Sequence, residues 1–284
     1  MSIKSILVSV DEREVSVTAL AVAMATARSF GAHIEALHVR PDPRDSIPYM
    51  TGVTSADAIA MVVEGAERAA DERAAAARAL YDLVRGRDEI PVVETPAAAT
   101  APSIAWREET GRATEVVARR GRANDLVVAV RPDEHAPAMV ESVLFDSGTP
   151  VLLVPPGSNP ALEGVAAVGW NGSPEAARAL ARGLPFLAVA SHAVVLSARE
   201  GAEPYTDPGD AVARLAWHGI AAEPRLFEPG RRSVAEALLT EAEAAGAGLL
   251  ILGGYGHSRV RELVLGGVTR DILAEARLPV LLAH

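Results

Sequence analysis

Gly248-Leu249-Leu250-Ile251-Leu252-Gly253-Gly254-Tyr255-Gly256-His257-Ser258, running on to Gly266-Gly267-Val268-Thr269, is the stretch on which the fold turns. Residues 248–252 form a short apolar run of the kind a fully buried parallel strand uses. Residues 268–276 read as a helix. Two residues separate Gly253 from Gly256, and nine separate Gly256 from Gly266. Glycine has no Cβ, so such a turn can take positive φ and let a ligand approach the main chain. A turn that leaves a strand and ends at a helix start presents N–H groups at the positive end of a helix dipole. A phosphate chain needs that arrangement; a plain tight β-to-α turn makes the same backbone demands.

Working outward, the 284 residues match a length prior of about two domains. The apolar fraction of 49% supplies sizeable cores, and with aromatics at only 4% those cores are built from Ala, Val and Leu. The formal charge of −10 argues against nucleic acid or an anionic membrane as the main partner. With no cysteine, disulfides, thiolate metal sites and cysteine nucleophiles are excluded. No apolar run is long enough to span a bilayer. The opening Met1-Ser2-Ile3-Lys4-Ser5 and the strand-like run behind it are too short for a signal peptide's apolar core, so cytoplasmic residence is the expectation.

In chain order, residues 6–10 read as a central parallel strand ending at Asp11. Residues 15–30 follow as a helix closed by Gly31, and residues 34–39 as the second strand. The proline-rich 40–55 reads as a loop, and the alanine-rich 57–85 as one long amphipathic helix. Strands are expected at 103–107, 125–130 and 151–154, with helices at 114–120 and 135–145. Pro155-Pro156-Gly157-Ser158-Asn159-Pro160 breaks every regular pattern and reads as the linker.

The pattern then restarts. Strands are expected at 165–170, 194–197, 222–227 and 280–282, besides 248–252. Helices are expected at 173–187, 210–218 and 233–245, the first with Ser173 at its N-cap and Pro174 at its first position. Pro150-Val151-Leu152-Leu153 recurs as Pro279-Val280-Leu281-Leu282, and the strand ending at Asp11 corresponds to the one ending at Asn171. Two strand-helix halves of this kind predict an α/β protein of two tandem five-stranded parallel-sheet domains. Ligands in such sheets sit beyond the carboxyl ends of the strands, where strand order reverses.

The spacing of Gly253, Gly256 and Gly266 resembles the nucleotide loop of the universal stress protein family, G-x2-G-x9-G followed by Ser or Thr. The last position departs from it: Gly267 stands where the family has a hydroxyl, which removes one side-chain bond to phosphate, about 1–3 kcal/mol. The strand-helix repeat extends the resemblance over nearly the whole chain. It implies two Rossmann-like, adenine-nucleotide-hydrolase-like domains of strand order 3-2-1-4-5, residues 1–156 and 164–284, related by a pseudo-twofold. Single-domain members dimerise, often through their fifth strands, and a tandem chain would build that pair within one molecule. A further homodimer stays open.

The resemblance also implies a site in the second domain. Asn171 occupies the position of an adenosine-contacting Asp, Ala198 lies near the end of the second strand, and Leu252 precedes the loop. Gly253, Gly256, His257, Ser258, Gly266, Gly267, Val268 and Thr269 would hold the phosphates of ATP or AMP, with or without magnesium. Arg259 is a further cation beside the loop. Trp170 either stacks on adenine or fills the pocket. In the first domain Asp11 sits at the expected strand end, but Arg131-Pro132-Asp133-Glu134-His135-Ala136-Pro137 replaces the glycine loop, and no nucleotide is expected there. No general acid and base pair presents itself, nor any tight histidine ligand spacing. Three functions compete: an adenine-nucleotide-binding stress-response sensor, a nucleotide-free structural or interaction protein, and a slow ATPase.

Overall fold

A computed structural model describes residues 2–46, 56–95, 101–130, 138–158, 164–199, 206–254 and 267–284. The first half runs β1 (Ser5–Ser9), α1 (Val15–Phe30), β2 (His33–Arg40), α2 (Ala56–Asp88), β3 (Ser103–Thr110), α3 (Ala113–Gly121), β4 (Leu126–Val130), α4 (Ala138–Ser147) and β5 (Val151–Val154). The second half runs β6 (Val165–Gly169), α5 (Pro174–Val189), β7 (His192–Ala198), α6 (Gly209–Trp217), β8 (Ala222–Phe227), α7 (Val234–Ala244), β9 (Ala247–Gly253), α8 (Val268–Glu275) and β10 (Val280–Ala283).

The local signals behave as their chemistry requires. Gly31 closes α1 in the left-handed conformation at φ 59°, which costs a residue without Cβ little. Ser173 caps α5 by accepting from the Ala176 N–H at 3.1 Å, with Pro174 at the first position. Ser233 does the same for α7 through the Glu236 N–H. The third strand continues past Arg107 to Thr110. It is an edge strand whose last four residues are partly or fully exposed, while its backbone pairs with β2 along its full length.

Among the described residues the strands form one ten-stranded sheet in the order β3-β2-β1-β4-β5-β10-β9-β6-β7-β8. Each half is therefore ordered 3-2-1-4-5, as expected. The halves join through their fifth strands, antiparallel, with Leu281 opposite Leu152 and Leu282 opposite Val151. One core lies on the face covered by α1, α2, α5 and α6, with Leu20, Met24, Tyr81, Phe186 and Leu215. The other lies under α3, α4, α7 and α8, with Val117, Val143, Leu238 and Ile272. Because the seam is antiparallel, the carboxyl ends of the first domain's strands share one edge of the sheet with the amino ends of the second domain's.

Candidate functional site

Strand order in the second domain reverses between β6 and β9, which pair in parallel with Val168 opposite Ile251. A crevice opens beyond their carboxyl ends in folds of this kind. Asn171 follows β6 by two residues, Ala198 is the last residue of β7, and Gly253 is the last of β9. Gly267 is the N-cap of α8, and Val268 and Thr269 are its first two residues. These predicted residues come together at one end of one sheet. Gly256, His257, Ser258, Arg259 and Gly266 lie outside the described residues, as does the first domain's 131–137.

Several predicted residues have additional packing roles. A Cβ on Gly253 would stand 2.5 Å from the Glu175 carbonyl carbon, so the first glycine of the motif is already required by the close approach of α5. Leu252 is buried and its Cδ2 lies 2.2 Å from where Gly169 would carry a Cβ. The leucine thus forms an apolar wall above the first strand. Ala198 is half-buried against the same core. Trp170 packs into the core on the α5 and α6 face, the opposite face of the sheet from α8. Its Nε1 is buried and has no hydrogen-bond partner among the described residues.

Asn171 is exposed, and its Oδ1 accepts the Ser173 N–H at 3.1 Å. The Oδ1 is thus engaged within the turn, and the remaining amide donors carry no charge. Its counterpart Asp11 is held otherwise. Asp11 accepts from the Ser16 hydroxyl at 2.7 Å, from the Arg13 N–H at 3.0 Å and from Arg13 Nε at 2.8 Å. Burial pushes its pKa up, but these bonds outweigh burial and leave the carboxyl below its ordinary value.

Sequence reading missed four features of this end. Thr206 Oγ1 donates to the Asn171 carbonyl at 3.0 Å, and Ser197 Oγ donates to the Thr206 carbonyl at 2.9 Å, tying the ends of β6 and β7 together. Gly172, at φ 72°, makes room for the Thr206 methyl, 2.6 Å from its missing Cβ. Glu175 pairs with Arg178 next to Gly253. Burial raises the Glu175 pKa, while a backbone N–H, Arg178 and His284 lower it to a net decrease. Finally, His284 Nδ1 lies 3.0 Å from the Gly254 carbonyl, and the Gly254 N–H donates to Ala283, so the last strand anchors the start of the loop. The Ser-Pro cap, the glycine spacing and the i,i+3 spacing of Glu175 and Arg178 are signals in the sequence; the Thr206 and His284 bonds are tertiary and have no local signature.

Among the described residues no group of three or more His, Asp or Glu side chains could hold a metal ion. Asp271, in the first turn of α8, is the acid nearest the loop's end in sequence. No described helix is long and apolar enough to cross a membrane.

The chain is thus a pair of doubly wound α/β domains, the second with Gly253, Gly254 and Gly267 bounding the β9–α8 connection at its switch point. Residues 165–284 match the model of the universal stress protein family. The second domain thus carries the match to that family, in tandem with a first domain of the same fold. A universal stress protein from Archaeoglobus fulgidus superposes with a TM-score of 0.66 at 15% identity, covering 98% of this chain and 95% of its own. A putative universal stress protein from Pseudomonas aeruginosa gives 0.59 at 15%, covering 99% and 93%. A functionally unknown protein from the same species gives 0.58 at 15%, covering 99% and 92%. At that identity these likenesses speak for the fold alone. None of the curated proteins compared matches the sequence.

Proposed function

We propose that the second domain binds an adenine nucleotide, ATP or AMP, at the carboxyl ends of β6, β7 and β9, and that the chain acts as a stress-response sensor or regulatory module. The observation that carries this reading is the start of α8. Its N-cap is Gly267, which contributes no side-chain hydrogen bond to the first turn, so the positive end of the helix has no acceptor from its own cap. An anion bound there supplies what the missing cap does not. The phosphates would rest on Gly267, Val268 and Thr269 together with Gly256, His257, Ser258 and Gly266, and Arg259 would add charge. Asn171 would donate to the nucleoside, with Ala198 and Leu252 as apolar neighbours. A magnesium ion, where present, would neutralise phosphate charge.

Calorimetric titration with ATP and AMP tests this, paired with mass spectrometry of any ligand released from protein purified from cells. Saturable heat that disappears in Gly256→Val supports the reading. Absence of heat at millimolar nucleotide, with the variant behaving identically and no nucleotide co-purifying, overturns it.

A second reading is a nucleotide-free interaction protein of the same fold. It is favoured by the Thr206 bridge from β6 to β7 and by an Asn171 whose Oδ1 is already engaged. Retention of function in cells by Gly256→Val would select it. Phosphate release abolished in Gly266→Val would instead establish slow hydrolysis.

A further inference from the structure

One helix of the first domain reaches across the seam to the carboxyl ends of the second domain's strands. α4 lies on the same face of the sheet as α8, and its Leu144 and Phe145 meet residues that bound the β9–α8 connection. A Cβ placed on Gly254 would lie 3.6 Å from Leu144 Cδ1, 3.8 Å from the Ala283 carbonyl oxygen and 4.0 Å from Thr269 Cγ2. Gly254 therefore rests between the first domain, the last strand and the first turn of α8. Phe145 meets the His284 ring edge to face, with centroids 4.8 Å apart and ring planes at 73°. His284 Nδ1 in turn lies 3.0 Å from the Gly254 carbonyl oxygen. A carbonyl only accepts, so this nitrogen carries the proton.

The internal repeat supplies a comparison. Counted from the repeated Pro150 and Pro279, Phe145 corresponds to Ala274, and His284 corresponds to Pro155. Proline has no side-chain donor and alanine no aromatic edge, so the equivalent of this contact on the first domain's side cannot form. The contact exists only on the side where Gly253, Gly254 and Gly267 bound the connection; the first domain has Arg131–Pro137 in that place. Glycine leaves the main chain its widest conformational freedom. A connection bounded by glycines therefore depends on contacts from outside itself for a fixed direction.

We propose that Phe145 of the first domain, acting through His284, holds Gly254 and so positions the start of the connection that binds nucleotide in the second domain. Both are positioning residues. The edge of Phe145 sets the plane of the imidazole. The Nδ1–H then sets the direction of the Gly254 carbonyl, while the Gly254 N–H is held by the Ala283 carbonyl at 2.8 Å. Both polar groups of one glycine are thus engaged by the last strand and its following residue. For affinity, the proposal rests on the nucleotide reading above. Coupling between sites is reciprocal. A nucleotide that orders Gly254 also orders α4, and whatever shifts α4 alters affinity in the second domain. The first domain, which has no glycine loop of its own, thereby becomes the half of the chain through which the second is regulated and read.

The test has two arms, both on the full chain. Without nucleotide, amide exchange at Gly254 is followed by NMR in the parent, His284→Ala, His284→Asn and Phe145→Ala. His284 is exposed, so replacing it leaves the fold intact, as circular dichroism checks. Exchange should quicken about fivefold or more in His284→Ala, as for the loss of one hydrogen bond. Asparagine places its amide nitrogen where Nδ1 stands and should restore the parent rate. Phe145→Ala should quicken exchange similarly, and combining it with His284→Ala should add nothing further, because the two act as one unit. Phe145→Leu keeps bulk without the aromatic edge and gives the same readings should the alanine variant misfold. With nucleotide, calorimetry should show ATP bound about fivefold more weakly by Phe145→Ala, although no residue of the second domain has changed. Parent-like exchange at Gly254 in Phe145→Ala overturns the proposal. So does asparagine failing to restore what alanine loses, or parent affinity retained by Phe145→Ala in a chain that does bind. A parent that takes up no nucleotide defeats the earlier reading alone, and the exchange arm still decides whether Phe145 holds Gly254.

Discussion

The Cβ that Gly253 lacks would stand 2.5 Å from the Glu175 carbonyl carbon and 2.6 Å from the Ala176 nitrogen. Both contacts are to backbone, which cannot swing aside as a side chain tip can. The first glycine of the loop motif is thus fixed by how closely the start of α5 packs on the end of β9, whether or not a ligand is present. Gly253→Ala should destabilise the nucleotide-free protein by about 1–3 kcal/mol, as overpacking does. Urea denaturation in the absence of nucleotide measures it. A variant as stable as the parent would mean that the glycine serves the ligand alone.

Gly267 permits the complementary experiment. Its φ of −81° and ψ of 144° suit a serine N-cap, and the family pattern has a hydroxyl at this position. Gly267→Ser should raise stability by only a few tenths of a kcal/mol, the usual margin of serine over glycine at an N-cap. If phosphates bind there, the added hydroxyl should tighten nucleotide binding about tenfold, taking a bond to a charged group at the low end of its range. Calorimetry on parent and variant reads both effects. Equal affinities would place the phosphates elsewhere.

What the sequence disclosed follows from which interactions are local. Apolar runs such as residues 249–252 and the repeated Val-Leu-Leu of the fifth strands reveal parallel strands and the seam, because a strand buried on both faces must be continuously apolar. Ser173-Pro174 reveals a helix start because capping is settled within four residues. The Thr206 bridge to Asn171 and the packing of Glu175 against Gly253 join segments distant in the chain, so no spacing announces them. Trp170 was ambiguous for the same reason. A single bulky residue at a strand end points to either face, and only the packed helix decides which.

Asp11 gives a dependence on pH. Its carboxyl is held below its ordinary pKa against the opposing effect of burial, by Arg13 and Ser16. An unfolded chain then binds the proton more readily than the folded one. The stabilisation is complete above the unfolded pKa, near 4, and is lost as pH falls through the lower folded value. Asp11→Asn should cost about 1 kcal/mol at neutral pH, a modest figure because the side chain is a third exposed and water screens the pair. The gap between parent and variant should close as pH drops below about 4. A gap that stays constant down to pH 2 would show that the hydrogen bonds, and not the charge, are what matters; the pH range here is that of an ordinary carboxylate.

The seam between the domains should make them unfold as one body. Phe30 at the end of α1 meets Phe186 of α5 edge to face, with centroids 5.4 Å apart and ring planes at 85°. The two helices are equivalent in the repeat, so the pseudo-twofold sets like against like above the joined fifth strands. Phe186 is 1% exposed, and truncating it leaves a cavity that neighbouring backbone cannot fill. Phe186→Ala should therefore cost about 3–5 kcal/mol. Phe30→Ala should cost less, since that ring is only partly buried. A double-mutant cycle should return a coupling of about 0.5–1.5 kcal/mol. Because β5 and β10 also share backbone hydrogen bonds, separating the domains would expose two apolar strand edges at once. Calorimetry of the parent should then show a single transition, displaced as a whole in Phe186→Ala. Two resolved transitions in the parent, only one of them moved by the substitution, would mean that the seam joins the domains without coupling their stability.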